Sequence, residues 1–164
     1  MGIGLYLLVF NFFQAKYIYS NSYNKRLRIE NENIIRGDIL DRNDIVLAST
    51  KVKNGSTSRI YQFERHFSHI IGYYSHELGS TGIEALFDKE LSSSHIVNII
   101  KGKINNEPVK GNTVKLTLDK TIRVYASELF GNKKGALVAL NPKTGEVLAL
   151  VSKPDYNPSK VNAY

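Results

Sequence analysis

The 164-residue chain contains no cysteine, and this absence removes several kinds of chemistry at once. Without cysteine the protein forms no disulfide, offers no thiolate ligand to a metal and has no cysteine nucleophile. The absence does not identify the cellular compartment. Any catalytic site in this chain therefore depends on other side chains.

The chain also lacks the combination of motifs that a serine acyl-transfer site requires. Lys143-Thr144-Gly145 is typical of enzymes that acylate an active-site serine, but it works together with a Ser-x-x-Lys pair and a Ser-x-Asn element. Both patterns occur only in Ser22-Tyr23-Asn24-Lys25, and the same residues cannot form two walls of one site. Glycine-rich phosphate loops and nucleophile elbows are absent too. We predict no catalytic residue and no cofactor in this chain.

Charged side chains are missing from residues 1–15, and apolar character continues to residue 19. A membrane-spanning helix needs about 20 mainly apolar residues, and neither the positive start nor the cleavage site of a signal peptide is clear. We interpret residues 1–19 as a membrane anchor; the alternative is a buried N-terminal helix. The nearest cations all follow this segment, so the positive-inside rule alone would place the rest of the chain inside the cell. These cations are Lys16, Lys25, Arg26 and Arg28.

The net charge is +7, with an isoelectric point near 9.5. Such a charge favours anionic partners, but the basic residues are scattered, so we interpret them as solvated surface and predict no nucleic-acid site. Three histidines, His66, His69 and His76, lack the spacing of known zinc motifs. We predict packing and surface histidines rather than metal ligands.

The first half of the chain shows a polar segment followed by turns and one amphipathic helix. Residues 20–33 are a linker or a juxtamembrane helix, and two apolar runs around residues 41–44 predict a β-hairpin. Asn43 and Asp44 tolerate the positive φ that such a turn uses. Residues 51–58 are expected to form a second, turn-rich loop. Residues 79–91 predict a helix with an apolar stripe and a capping box between Thr81 and Glu84; the stripe is Ile83, Leu86, Phe87 and Leu91.

The second half predicts a strand, a helix and a hairpin in that order. Alternating apolar residues from Val114 to Leu118 indicate a half-buried strand, and Asp119 is a candidate N-cap. The following helix should end near Gly131, and two apolar runs from residue 135 to 152 predict a hairpin with Lys143 at its solvent-exposed tip. The apolar stripe expected on that helix is Ile122, Ala126, Leu129 and Phe130.

Four motifs in order resemble class B penicillin-binding proteins. The stretch RGDILDRNDIVLAS resembles the Arg-Gly-x-Ile-x-Asp-Arg-Asn-Gly signature of their N-terminal, non-catalytic module, with Asp44 where the family commonly has glycine. The stretch HIIGYYSHELGSTGIEALFDKEL is similar to a later part of that module. VKLTLDKTIRVYASEL and GALVALNPKTGEVLALVSKPDYNPS resemble the start of the transpeptidase domain.

The resemblance implies an α+β fold with three parts: an anchor at residues 1–19, a pedestal or dimerisation-type module at residues 20–112, and the incomplete start of a transpeptidase domain at residues 113–164. It implies a single-pass protein of the cell membrane, with most of the chain outside the cytoplasm. The full-length family binds penicillin and cross-links peptidoglycan through an acyl-serine, in the company of other cell-wall synthesis proteins. This chain is expected to be inactive alone and to anchor and support the missing catalytic domain. The alternative is a stand-alone, membrane-anchored scaffold without enzyme activity.

The resemblance also identifies a structural motif, and the residues indicate how it could work. We expect Arg36, Asp41 or Arg42 to make charged hydrogen bonds to backbone groups or to a carboxylate such as Glu84. Gly37 lies where a missing Cβ indicates close backbone approach or a bulge. The full motif is Arg36, Gly37, Asp41, Arg42, Gly82 and Glu84.

Overall fold

The computed structural model describes residues 34–53, 55–75, 77–94, 102, 104–105 and 108–163. The expected anchor at residues 1–19 and the polar segment at residues 20–33 lie outside these ranges. Within them, no helix has both the length and the apolar character needed to cross a membrane. The predicted α+β class is confirmed, because strands and short helices alternate along the described chain.

The strands in the described residues form one four-stranded sheet and three separate pairs. The strands are β1 (Ile34–Ile35), β2 (Ile39–Leu40), β3 (Val46–Lys53), β4 (Ser56–Tyr61), β5 (Tyr74–Ser75), β6 (Gly79–Ser80), β7 (Val109–Lys110), β8 (Val114–Lys115), β9 (Gly135–Leu140) and β10 (Val147–Lys153). The larger sheet has the order β4-β3-β2-β8, with β8 parallel to β2. The pairs are β1 with β7, β5 with β6, and β9 with β10.

Short helical segments connect these strands. They are the 3₁₀ turns η1 (Glu64–Phe67) and η2 (Pro158–Ala163) and the helices α1 (Ser68–Ile71), α2 (Gly82–Leu86), α3 (Asp88–Leu91) and α4 (Lys120–Phe130). A core forms where the larger sheet meets η1, α1 and α3. Its buried members are Ile39, Leu47, Ala48, Tyr61, Phe67, Ile71, Leu91, Val114 and Leu118.

The first predicted hairpin is confirmed by the antiparallel pairing of β2 with β3. Ile39 pairs with Ala48, and the register shifts between Ile39 and Leu40. Asp44 adopts a φ of 64° in the turn. Aspartate tolerates this left-handed conformation better than most residues, which explains how it replaces the family's glycine.

The loop expected at residues 51–58 is wrong, because this stretch is mostly strand. β3 runs to Lys53 and β4 begins at Ser56, and these two residues pair across the hairpin. Gly55 has a φ of 77°, which glycine adopts without steric cost. Lysine, serine and glycine suggest a loop by composition, but the backbone pairing of two adjacent strands overrides that weak preference.

The helix predicted at residues 79–91 is present in part, but it is divided at Phe87 into α2 and α3. Leu91 is fully buried as expected, whereas Leu86 is 72% exposed, so the predicted apolar stripe is wrong at that position. The predicted capping box is also wrong. The Thr81 side chain makes no cap hydrogen bond to α2 and instead accepts one from the backbone N–H of Tyr73 at 3.3 Å.

Helix α4 starts as predicted, but the face that it buries differs from the predicted apolar stripe. Asp119 caps it by accepting hydrogen bonds from the N–H groups of Thr121 and Ile122 at 2.9 and 3.1 Å. The backbone hydrogen bond from Ile122 is the main reason that the pKa of Asp119 lies below its ordinary value. Ala126 is buried as predicted, but Ile122 and Leu129 are exposed, and the other buried positions are Arg123 and Ser127. The expected stripe is therefore only partly correct.

The hairpin predicted at residues 135–152 is confirmed by β9 and β10. Gly145 has a φ of 76° in the turn, and the register shifts between Val147 and Ala149. Lys143 is exposed at the tip, as predicted.

Contacts along residues 116–157 join this later part of the chain to the earlier part, and residues 34–164 form one compact unit. The N–H of Arg42 donates to the carbonyl of Leu118 at 2.9 Å. The hydroxyl of Tyr156 donates to the carbonyl of Ser68 at 2.9 Å. The domain boundary placed between residues 112 and 113 stays a prediction.

Candidate functional site

The centre of the motif is a buried arginine whose guanidinium group has carboxylate partners from α2 and α3. Arg36 is 6% exposed, and its Nε donates to Glu84 Oε2 at 2.6 Å. Its Nη1 donates to Asp88 Oδ1 at 2.7 Å and to Ser92 Oγ at 2.8 Å. Its Nη2 donates to the backbone carbonyl of Glu84 at 2.6 Å. The sequence predicts such a bond for Arg36, Asp41 or Arg42, and Arg36 makes it to Glu84.

A second arginine binds the same carboxylate from the opposite side. Arg59, on β4, donates from Nε to Glu84 Oε1 at 2.7 Å. Its Nη1 also donates to the carbonyl of Gly37 at 2.7 Å and to Thr50 Oγ1 at 3.0 Å. Glu84 has no exposed surface, so each of its oxygens is bound by one guanidinium group away from solvent. We call Arg36, Arg59, Glu84 and Asp88 the arginine–carboxylate network.

The network affects the pKa of Arg36 and that of the neighbouring Tyr61. Burial alone lowers the pKa of Arg36, but the charges and hydrogen bonds of Glu84 and Asp88 outweigh burial and hold that pKa above its ordinary value. Burial, assisted by the negative charge of Glu84, raises the pKa of Tyr61. The Tyr61 hydroxyl therefore stays protonated, and it accepts a hydrogen bond from the N–H of Tyr74 at 2.8 Å.

Two glycines allow the chain to pass close to its own backbone around the network. A Cβ on Gly37 would lie 2.0 Å from the carbonyl oxygen of Asn112, and the Gly37 N–H donates to the carbonyl of Leu91 at 2.8 Å. The close approach predicted for Gly37 is therefore present. Gly82 has a φ of 58°, and a Cβ there would lie 2.4 Å from the carbonyl oxygen of Ile70.

Asp41 organises the turn between β2 and β3 and connects it to the start of α4. The side chain has no exposed surface, and its Oδ1 accepts from the N–H groups of Asn43 and Ile45 at 2.7 and 2.8 Å. Its Oδ2 accepts from the N–H of Lys120 at 3.1 Å. These are the charged hydrogen bonds to backbone that the sequence predicts for this motif.

Arg42 differs from its two motif partners. Its Nη2 lies 3.7 Å from Glu146 Oε2, and both side chains are more than a third exposed. Ion pairs of this kind contribute at most about 1 kcal/mol to stability. The side chain of Arg42 therefore belongs to the surface, although its backbone N–H binds Leu118.

The other candidate residues from the sequence lie apart from the network. Ser22 is outside the described residues, as is His76. His69 Nε2 lies 2.8 Å from the carbonyl oxygen of Pro154, and His66 Nδ1 lies 3.2 Å from that of Phe63. In the part of the chain that the structure describes, no group of three or more His, Asp or Glu side chains is placed to hold a metal ion.

Arg59 and Asp88 were not among the residues predicted from the sequence. Arg59 was missed because its neighbours were interpreted as the end of a loop rather than as a strand that brings its side chain to Glu84. For Asp88 a signal was available, since residues four apart on a helix share a face and Glu84 was already a candidate. The network binds other groups of its own chain, with Arg59 Nη2 left without a hydrogen-bond partner among the described residues, so the arrangement fixes a shape and offers no nucleophile.

Comparisons with known proteins agree with this geometry. Residues 36–114, which begin at Arg36, match the family described as "Penicillin binding protein A dimerisation domain". The chain is 29% identical over 129 residues to the peptidoglycan D,D-transpeptidase MrdA of Acinetobacter baumannii, an alignment that covers 62% of this chain and 19% of that protein. It is 28% identical over 161 residues to the peptidoglycan D,D-transpeptidase PbpA of Mycobacterium tuberculosis, covering 90% of this chain and 32% of that protein.

Solved structures show the same fold. The imipenem acyl-enzyme complex of penicillin-binding protein A from M. tuberculosis superimposes with a TM-score of 0.71 at 27% identity, covering 79% of this chain and 32% of that one. The D,D-transpeptidase domain of a peptidoglycan glycosyltransferase from Eggerthella lenta gives a TM-score of 0.67 at 31% identity, covering 80% and 28%. The chain thus spans a third or less of the length of these relatives. Residues 36–114 thus match the dimerisation module of a penicillin-binding protein, and the chain is similar to part of the peptidoglycan D,D-transpeptidases.

Proposed function

We propose that this chain is the anchoring and supporting part of a membrane-bound enzyme that cross-links peptidoglycan during cell-wall synthesis. In this proposal residues 1–19 anchor the protein, residues 20–112 form the pedestal, and residues 113–164 begin the transpeptidase domain. The acyl-serine chemistry and penicillin binding belong to a catalytic domain beyond this chain. The match of residues 36–114 to a penicillin-binding protein dimerisation domain and the names of the relatives as D,D-transpeptidases support the proposal.

The observation that carries the proposal is an uncovered apolar surface on α4 and the last hairpin. Leu129, Val138 and Leu140 are each more than half exposed. Among the described strands, β9 pairs with β10 alone. Large exposed apolar side chains beside an unpaired strand edge normally mark a surface that another element covers. A larger transpeptidase sheet continuing after the hairpin is such an element.

The arginine–carboxylate network supports the pedestal role. It connects the residue that follows β1 with β4, α2 and α3 through largely buried charged hydrogen bonds, and such bonds are stronger and more directional than neutral ones. Asp41 then connects the same module to the first turn of α4. A domain built on α4 and the last hairpin would therefore start from a fixed base.

Labelled penicillin provides the test of the catalytic assignment. The 164-residue chain should show no covalent label after denaturing electrophoresis, whereas the product of the longer reading frame, if it encodes the domain, should label stoichiometrically. A labelled band from this chain that disappears in Ser22→Ala would overturn the assignment of catalysis to a later domain.

Hydrogen exchange tests the covering of the hairpin. The backbone N–H groups of β9 that do not pair with β10 should exchange rapidly in this chain. They should become protected in the product of the longer reading frame. If no longer product binds penicillin and β9 stays unprotected in every form, a stand-alone membrane-anchored scaffold is the better description.

The anchor has its own test. Transfer of each large apolar side chain from water to lipid is worth about 1.5–3 kcal/mol, so residues 1–19 should carry the chain into membranes. A version that starts at Asn21 should remain in the soluble fraction. Equal detergent-free solubility of the two versions would contradict the anchor, and protease access from outside the cell would test the orientation.

A further inference from the structure

Arg123, on α4, is a buried cation outside the arginine–carboxylate network. It is 1% exposed, and within the described residues its Nε and Nη1 have no hydrogen-bond partner. Arg36, by contrast, donates from all three of its nitrogens to oxygen atoms of the protein. Arg123 is therefore a buried guanidinium group with two nitrogens that donate no hydrogen bond in the described part of the chain.

The carboxylate that acts on Arg123 is shared with other cations. The guanidinium carbon of Arg123 lies 5.3 Å from the centre of the Phe67 ring, and the carboxylate that acts on it is Asp155. Asp155 already accepts a hydrogen bond from Lys153 and lies 3.8 Å from Arg65 Nη1. Three cations thus share one carboxylate. Burial lowers the pKa of Arg123 to about 10, and the charge of Asp155 offsets only part of that effect.

A buried charge with unused donors is costly to the folded state, and a bidentate carboxylate is the group that best fits a guanidinium fork. Asp155 already accepts from Lys153, and neither Nε nor Nη1 of Arg123 donates to it. The cluster also reaches solvent, because the Arg65 side chain is more than half exposed. In the site inferred below, a carboxylate would approach from the Arg65 side and complete the charge balance.

We propose that Arg123, together with Arg65 and Lys153, forms a carboxylate-binding site between η1, α4 and the segment that follows β10. The carboxylate has two sources with the same chemistry: a small dicarboxylate from solution, or an acidic side chain of the catalytic domain. The second source rests on the proposed function.

Malonate serves as the probe. The full 164-residue chain in a mild detergent is heated in sodium malonate or in sodium chloride of equal ionic strength. Malonate at roughly ten times its dissociation constant should raise the unfolding midpoint by about 4–6 °C relative to chloride. An equal midpoint in the two salts overturns the proposal for both sources, because a free dicarboxylate imitates either one.

The variant Arg123→Met distinguishes carboxylate binding by Arg123 from a role in which Arg123 only packs against Phe67. Because the unpaired charge is removed, its midpoint in chloride should rise above that of the parent, and its response to malonate should vanish. Lys134→Met, which removes an exposed cation of the same chain, should keep the full malonate response. A lower midpoint for Arg123→Met in chloride, with the malonate response retained, would mean that Arg123 only packs against the ring. Should Arg123→Met fail to fold, the parent's malonate titration and Arg65→Met, which should weaken the response, decide the question.

The product of the longer reading frame distinguishes the two sources of the carboxylate. If a side chain of the catalytic domain fills the site, malonate should no longer stabilise that product and Arg123→Met should destabilise it. If the carboxylate is free, malonate stabilises both forms. Failure of the penicillin-labelling test would contradict the proposed function but would leave the malonate response of this chain unchanged.

Discussion

Replacing Glu84 with glutamine removes the shared negative charge of the arginine–carboxylate network while keeping the shape of the side chain. Glu84 is fully buried, and its two oxygens accept from Arg36 at 2.6 Å and from Arg59 at 2.7 Å. Both arginine side chains are nearly buried as well. Glu84→Gln therefore leaves two guanidinium groups out of water with Asp88 as the remaining carboxylate of the network.

The expected loss of stability follows from this geometry. Removing one partner of a buried ion pair costs about 3–5 kcal/mol, because the partner's charge stays buried without compensation. For a unit of this size each kcal/mol shifts the unfolding midpoint by about 3–5 °C, so Glu84→Gln should lower the midpoint by roughly 10–20 °C. The control Glu146→Gln breaks the ion pair with Arg42, whose two side chains are each more than a third exposed. It should cost at most about 1 kcal/mol.

Thermal and urea unfolding, followed by circular dichroism, give the unfolding midpoint and the free energy of unfolding for each variant. A double-mutant cycle with Arg36→Met should show that Arg36 and Glu84 are strongly coupled, since the two substitutions remove each other's unpaired charge. If Glu84→Gln unfolds together with Glu146→Gln, or within about 1 kcal/mol of the parent, the buried charge does not organise the module and the reasoning is refuted.

Four further substitutions and one control test the rest of the motif and the cap of α4 by the same unfolding measurements. Asp41→Ala should cost about 2–3 kcal/mol because three backbone N–H groups lose a charged acceptor, whereas Arg42→Ala should cost at most about 1 kcal/mol and the control Lys53→Ala nothing measurable; equal midpoints for all three would make the motif a solvated turn. Gly37→Ala should cost at least about 2 kcal/mol, since the added methyl group forces two backbones apart, and an unchanged midpoint would show that they are not in contact. Asp119→Ala should cost about 1 kcal/mol at neutral pH through loss of the helix cap. Because the folded-state pKa of Asp119 is below its ordinary value of 3.8, the difference between this variant and the parent should be constant above that pH and shrink as the pH falls through the folded pKa; a difference that persists at lower pH would contradict the role of the charge.

The sequence by itself determined the features that depend on residues close together in the chain. The turn at Asp41 and Asp44, the cap at Asp119 and the hairpin around Gly145 all follow from side chains that bond or bend the backbone within a few residues. Local patterns predict these features because no distant partner is needed to form them. The same holds for Gly37, where the need for a missing Cβ was visible, although the backbone that approaches it was not.

Only the tertiary structure decided which faces of the helices are buried and which charges are paired. An apolar pattern placed Ile122 and Leu129 in the core, yet α4 buries Arg123 and leaves those two side chains outside. The strand that carries Arg59 was interpreted as following a loop because its composition is polar, and its pairing with β3 is what brings the guanidinium group to Glu84.

The physical reason is the distance along the chain. Arg36 and Glu84 are 48 residues apart, and Arg59 reaches the same carboxylate from 25 residues away. A buried charge is stable only where a partner of opposite charge and correct geometry meets it. That meeting depends on how the sheet, α2 and α3 pack together, which residue types and local spacing do not specify.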